Sequence, residues 1–320
     1  MNRKQCPFCG SISCIKKGFQ EGHQRWKCRQ CNKKFQANKT APPSNEELFC
    51  LYVFNKQTLA EIEDEHGLRT KDIQKQFDEI VLPEKIHAPR PVALCVDATF
   101  FHSFGVIVFR DQVSKENLWW SFCDEEWTLY YERGKHILLK LGYTFTSVTA
   151  DGLPGLPAVF SGIPFQYCHF HAKKNITKYL TKHPKTNAGV ALLMLMNSIH
   201  LYTEEVFVAR LVEWRDQYQS FLNEKTFHPG GTWSYTHARL KSALRSMSRM
   251  IPYLFTYQRE KTIFVPRTTN TLEGHFRHIK IRINVHCGLS ISRKKKVIET
   301  ILLNSSTTYK KEMEKRLFRS

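Results

Sequence analysis

Two C-x2-C knuckles, Cys6-Pro7-Phe8-Cys9 and Cys28-Arg29-Gln30-Cys31, constrain the N-terminal end of this chain more than any other feature. Eighteen residues separate them, inside the interval of about 15–20 over which two such pairs share one metal ion. Thiolates three positions apart on a tight turn bind as a pair, and two pairs complete a tetrahedral shell with no open position. A closed shell is structural rather than catalytic. Residues 1 to 40 are therefore expected to form a zinc ribbon with Cys6, Cys9, Cys28 and Cys31 as the Zn2+ ligands. Cysteines packed in a hydrophobic core are the alternative, but a segment this short and polar has no core to hold them. Gln24-Arg25-Trp26-Lys27 alternates polar and apolar residues as a short ribbon strand does, and Phe35 can pack beside Trp26. Cys14 lies outside the pattern.

Charge narrows the partners. The 320 residues carry 48 Lys and Arg against 29 Asp and Glu, a formal net charge of +19, and a field of that sign attracts polyanions. Residues 1 to 40 hold ten Lys or Arg and one acid, and residues 267 to 296 hold eight against Glu273 alone. Nucleic acid is the expected partner, although cationic surfaces also meet anionic membranes or plain solvent. No membrane span is expected, because a run such as VALLMLM at 190 to 196 is far shorter than the ~18 residues a span requires. Met1-Asn2-Arg3-Lys4 leads into the cysteine motif instead of an apolar leader, which points to a reducing cytosol, with nucleoid association following from the charge.

Ala41-Pro42-Pro43 reads as a linker. Ser44-Asn45-Glu46-Glu47 is a capping box that opens a helix through Leu48, Leu51 and Tyr52. A second helix follows Thr58, Gly67 breaks it, and Thr70 can cap a third that carries Ile73, Phe77 and Ile80 on one face. Residues 44 to 83 thus form a small helical domain, either helix-turn-helix or a plain helical linker. Residues 45 to 82 hold nine acids against four bases, so phosphate contact there would rest on Lys71, Gln74 and Lys75.

From Pro91 the pattern changes. VALCV (92 to 96), FGVIVF (104 to 109) and NLWWSFC (117 to 123) are apolar runs between turn residues, as three meandering strands would be. A helix through Leu129, Ile137, Leu138 and Leu141 ends at Gly142, and FTSVTA (145 to 150), PFQYC (164 to 168) and a basic helix from about His171 follow. Alternation of this kind predicts an α/β fold with a mixed sheet. Asp97 directly follows a buried run, where a lone carboxylate costs several kcal/mol unless it is paired or metal-bound. Asp151 ends another strand and precedes Gly152, which is either an ordinary Asp-Gly turn or a ligand position beyond a strand end. Glu273 is the one acid in a basic stretch. Three carboxylates from two strands and a helix are the hard oxygen ligands that Mg2+ or Mn2+ requires.

VALCVDATFF, SVTADGLPGLPAVF, FQYCHFHAKKNI and TTNTLEGHFRHIK together resemble the ordered signatures of bacterial insertion-sequence DDE transposases, in the branch similar to Mutator-like element transposases. The resemblance covers about 92 to 300 and implies a ribonuclease H-like core at 91–182 and 263–304 with a helical insertion at 183–262; a basic tail at 305–320 follows. Carried over by motif, Asp97, Asp151 and Glu273 are the catalytic carboxylates, and Cys168 with His171 matches a C-x2-H element. That pair can be zinc ligands, a structural hydrogen-bonded pair or strand-end packing; two ligands do not make a site, which favours a structural role. GTWSYTH at 231 to 237 has no counterpart in the resemblance, and Glu204, Glu205, Glu213 and Glu260 are rival carboxylates. The implied activity is cleavage at element ends and strand transfer into target DNA by two metal ions about 4 Å apart, Asp97 bridging them, with the protein acting as a homo-oligomer on DNA. Lys173, Lys174, Arg277, Lys280 and Lys294 would position phosphates. A nuclease that never joins strands and a silent DNA-binding regulator are the alternatives.

Overall fold

Each of the expected apolar runs between 91 and 168 becomes a strand in the computed structural model, which describes residues 5–20, 23–36, 43–286 and 288–306. Those residues form two compact units, one from 5–83 with 285–293 and the other from 84–284 with 294–306. Nearly all of the tail expected at 305–320 lies outside the described residues.

In the first unit, β1 (Cys14–Gln20), β2 (His23–Cys28) and β3 (Lys34–Gln36) form an antiparallel sheet in that order. Trp26 stands directly opposite Phe35, the pairing that the alternation predicts. Three helices follow: α1 (Asn45–Asn55), α2 (Leu59–His66) and α3 (Thr70–Glu79). Ser44 accepts from the Glu47 amide at 3.2 Å while the Glu47 carboxylate accepts from the Ser44 amide at 2.6 Å, so the expected capping box forms. Thr58 and Glu61 repeat the device, and Gly67 ends α2 in the left-handed region at φ 66. Thr70 does not cap α3. Its hydroxyl and amide bond to Glu63, Arg69 takes the cap position, and the helix stops before Ile80. Leu48, Tyr52, Val53, Ile62, Ile73 and Phe77 are buried, which gives the three helices a common apolar core.

The second unit is built on β4 (Pro91–Phe101), β5 (Phe104–Asp111), β6 (Asn117–Cys123), β7 (Thr144–Ala150) and β8 (Phe165–Tyr167). Their order is β6-β5-β4-β7-β8. The first three meander antiparallel, whereas β7 runs parallel to β4 and β8 parallel to β7, so the sheet is mixed. The strand period of two divides its faces. Val92, Leu94 and Val96 point with Ile107, Phe109, Val148 and Ala150 toward α4 (Thr128–Lys140) and the short α5 (Leu156–Val159), where Tyr131, Leu138, Leu156 and Phe160 complete a buried core. Cys95, Asp97, Ser147 and Thr149 fall on the opposite face.

After β8 comes α6 (His169–Leu180), then a helical region comprising α7 (Asn187–Asn197), a short turn of 3-10 helix, α8 (Glu204–Gln217), α9 (Gln219–Leu222), α10 (Ala238–Leu254) and α11 (Thr256–Arg259). Ile176 and Leu180 of α6 share one core with Leu192, Phe207, Leu211, Trp214 and Met247, so α6 packs on the insertion as well as leading out of the sheet. GTWSYTH resolves into the return strand of a hairpin, β9 (Lys225–Phe227) with β10 (Trp233–Tyr235), inside the otherwise helical region. Finally, α12 (Asn270–Val285) carries Glu273, and α13 (Ile291–Leu303) closes the described chain apart from a short turn. No helix among the described residues is long and apolar enough to cross a membrane.

Candidate functional site

Two clusters of metal-ligating side chains occur among the described residues: Cys6, Cys9, Cys28 and Cys31, and Asp97, His171 and Glu273, with the candidate ligand atoms of each cluster mutually within 4.8 Å. In the first, both knuckles fold by one rule. The residue after the second cysteine turns left-handed, Gly10 at φ 73 and Asn32 at φ 59, a conformation that glycine and asparagine tolerate best. The turn then closes on the first cysteine, through Gly10 N to Cys6 O at 2.9 Å and Cys28 N to Lys33 O at 2.9 Å. Cys6 and Cys31 sulfurs lie 3.6 Å apart, as do those of Cys9 and Cys28. The Cys31 amide, with that of Gln30, draws the Cys28 thiol down to about 6 against the cost of desolvation. Four converging thiols with amide support fit a closed, zinc-type shell.

The second cluster is assembled from three elements. Asp97, 6% exposed, lies inside β4 opposite Val108 of β5, and so not at a strand end as VALCV suggests. What ends near it is the parallel ladder: Cys95 pairs with Thr149 as the last partners, which leaves Asp97 and Asp151 each two residues further along. Asp97 within β4 and Asp151 just past β7 therefore stand at one level and on one face. Glu273 comes from the first turn of α12, whose buried stripe Leu272, Phe276, Ile279 and Ile283 has helical spacing. His171 comes from the first turn of α6, with Nε2 3.2 Å from Glu273 Oε1.

The chain just before α12 is fastened to the sheet. Ser147 and Thr149 donate their hydroxyls to the carbonyls of Phe264 and Pro266, at 2.9 and 2.6 Å. The His169 amide reaches Arg267 O at 3.0 Å. Thr269, fully buried, donates its amide and hydroxyl to Cys168 Sγ at 3.3 and 3.4 Å, while its own carbonyl accepts from the Leu272 and Glu273 amides. Cys168 is thereby bonded to Thr269, in the stretch that leads into α12. The His171 side chain joins the carboxylates instead. His169, whose Nε2 lies 2.8 Å from Leu254 O, is pushed down to about 4 by burial and stays neutral.

Electrostatics single out the same place. Burial, then the charge of Asp151, with Glu273 and Glu126 adding to it, holds Asp97 well above the ordinary carboxylate range, although the Ala98 amide donates to it at 2.9 Å. Burial also raises Glu273, against the pull of Lys174, and lowers His171, against that of Asp151. His171 Nδ1 is buried with no hydrogen-bond partner. A cation would relieve the carboxylate repulsion and supply that nitrogen or its neighbour with a partner, so these residues fit a divalent metal ion. Two carboxylates and an imidazole differ from the all-oxygen trio predicted above. Asp151 borders the cluster without entering it, and its Oδ1 accepts from the Leu153 amide at 3.1 Å in the turn that the Asp-Gly pair implies.

One contributor escapes sequence reasoning. Glu126 is half-buried, accepts from the buried Tyr131 hydroxyl at 2.5 Å, and is raised first by burial and also by Asp151. In the sequence it is the last residue of Asp124-Glu125-Glu126, which looks like any acidic surface loop. The rival carboxylates Glu204, Glu205, Glu213 and Glu260 join neither cluster, and Glu204 is engaged by Arg259 at 2.7 Å. Of the cations, Lys174, Arg277 and Lys280 are exposed and Lys294 is half-buried. Lys280 lies 5.8 Å from the Phe101 ring centre. Lys173 donates to Asn197 O at 2.8 Å, a bond that serves the fold. No family model matches the chain, and no curated protein matches it.

Proposed function

We propose that this chain is a DDE-type DNA transposase with a ribonuclease H-like catalytic core and an N-terminal zinc ribbon, of the bacterial insertion-sequence branch similar to Mutator-like element transposases. The observation that carries this is the convergence of Asp97 from β4 and Glu273 from α12, far apart in sequence, at the level where Asp151 leaves β7. Further support comes from the mixed sheet with its three-strand meander and from the exposed cations on α6 and α12.

Asp97 and Glu273, with a ring nitrogen of His171, would hold Mg2+ or Mn2+ there, and Asp151 would enter the shell by leaving its turn bond to Leu153. The chemistry such ions supply when bound is activation of water or a DNA terminal hydroxyl and stabilisation of the leaving oxygen. Lys174, which already lowers the cost of charge on Glu273, could steer a phosphate, and Arg277 and Lys280 extend the basic face along α12. Partners are then the element's terminal inverted repeats and target DNA, engaged by a homo-oligomer.

A silent regulator is disfavoured, because an ionised Asp97 buried beside Asp151 and Glu273 costs stability that a bound cation would return. The test is an assay of the full chain with Mg2+ or Mn2+ on DNA bearing the sequences that flank its gene, scored for cut and joined products. Cutting without joining identifies a nuclease on the same site, and neither product in the parent protein overturns the proposal.

A further inference from the structure

Asp151 also borders a cavity of about 290 Å³ for which the chemistry above has no use. That volume is at the lower limit of small-ligand pockets, roughly 300–1,000 Å³, and is enough for one planar ring system. Its wall is aromatic, from Tyr167 at the end of β8, Tyr179 on α6 and Tyr253 on α10. Tyr253 is held edge-on against Phe165, ring centres 5.6 Å apart. Its polar groups are Asn175 and Ser246, the Asn175 amide donating to the Ser246 hydroxyl at 3.0 Å. Arg249 is exposed at the edge and makes no ion pair among the described residues. Gly152 is part of the same construction, since a Cβ there would collide with the Tyr167 hydroxyl. Only glycine after Asp151 lets that ring lie against the turn bearing the carboxylate.

We infer that this cavity receives a single nucleobase swung out of the DNA strand beside the metal cluster, with Arg249 meeting the adjoining phosphate. The inference rests on the DNA-cutting function proposed above. Tyrosine faces suit any base, and an amide with a hydroxyl offers both donors and acceptors to a base edge. A purely apolar ligand would make no use of the hydrogen-bonding capacity that Asn175, Ser246 and Asp151 keep beyond the Asn175–Ser246 and Leu153–Asp151 bonds. A small free anion would be repelled by Asp151.

The test uses the full chain in metal-free buffer with frayed-end duplex oligonucleotides carrying iododeoxyuridine at each position in turn, which near-ultraviolet light cross-links to aromatic side chains. Mass spectrometry is expected to find the cross-link on Tyr179 or Tyr253. Ser246→Trp, which fills the cavity, and Tyr179→Leu, which removes a stacking face, should each lower its yield by about tenfold or more at protein concentrations that saturate the oligonucleotide, with melting temperature retained. A cross-link confined to other surfaces, or undiminished in Ser246→Trp, overturns the inference. So does a cavity that binds deoxynucleoside monophosphates but gives no cross-link to the oligonucleotide, which marks a free nucleotide as the ligand. Metal-dependent cleavage without a cavity cross-link overturns this inference and leaves the transposase proposal standing. A cavity cross-link without cleavage does the reverse, and failure to bind DNA removes both.

Discussion

The thiol cluster of the first unit and the carboxylate cluster of the second both gather metal ligands within the same 4.8 Å, yet they are built by opposite means. The first is local: two short turns of like geometry supply every ligand, and each turn is fixed by its own amides. The second is assembled at long range by a strand, a helix start after β8 and another helix start beyond the whole insertion. Four thiolates leave no open position, which suits a structural ion. Asp97, His171 and Glu273 leave positions open and crowd like charges, which suits a reactive one. A structural site can therefore be specified by spacing alone, whereas a reactive site depends on the fold around it.

That contrast breaks most visibly at Asp97. Asp97→Asn keeps the side-chain volume and is expected to reduce metal-dependent cleavage at least about a thousandfold, ~4 kcal/mol in the barrier, while DNA binding in metal-free buffer is kept or slightly tightened. Glu273→Gln should match it, and Gln at Glu204, Glu205, Glu213 or Glu260 should not. Full cleavage by the Asp97→Asn protein would sink the metal assignment. At the thiol cluster the expected loss is of folding. Cys28→Ser should release the one zinc per chain and unfold the ribbon, since structural zinc supplies on the order of 10 kcal/mol to such modules. Elemental analysis of the parent chain finding no zinc would refute the closed-shell reading.

A smaller effect separates the two sites by pH. Asp97 holds its proton more tightly folded than unfolded, so its stabilising contribution is fully present below the ordinary carboxylate value of about 4 and is lost as pH rises through its raised folded value. Without metal, the melting temperature should fall across that window. Asp97→Asn should flatten the fall and melt higher at neutral pH, by about 2–4 °C per kcal/mol recovered. Mn2+ should restore the parent protein and leave the variant unmoved. Identical pH profiles for the two would mean that Asp97 carries no buried charge. The smallest effect belongs to Lys174→Ala, expected to reduce the salt slope of DNA binding by about 1; an unchanged slope removes it from the phosphate path.

The same contrast governs what could be read from residues alone. The zinc-type knuckles, the Ser44 capping box and every strand of the larger sheet were legible, because each is set by neighbours in sequence. Asp97 and Glu273 were legible as isolated acids in the wrong company, one after VALCV and the other in a basic stretch. His171 was not, because its partnership with Glu273 depends on α6 and α12 starting side by side. Glu126 was hidden in an ordinary acidic loop. Thr70 misled for the same reason in reverse: a residue suited to capping was taken by a carboxylate seven positions back, Glu63.

The fastening of 264–269 along β7 and the start of α6 bears on how such a chain can change. The polypeptide leaves the sheet region through α6 and returns to it along a row of side-chain and amide bonds, so the approach to α12 is fastened to β7 and the start of α6 directly. Within the 183–262 excursion, α10 and α11 are themselves tied to β8 and α6 through Leu254, Thr256 and Tyr257, whereas the largely exposed β9–β10 hairpin can be lengthened or trimmed without shifting the start of α12. The hairpin is thus free to diversify in whatever it contacts, while the carboxylate that α12 delivers keeps its station.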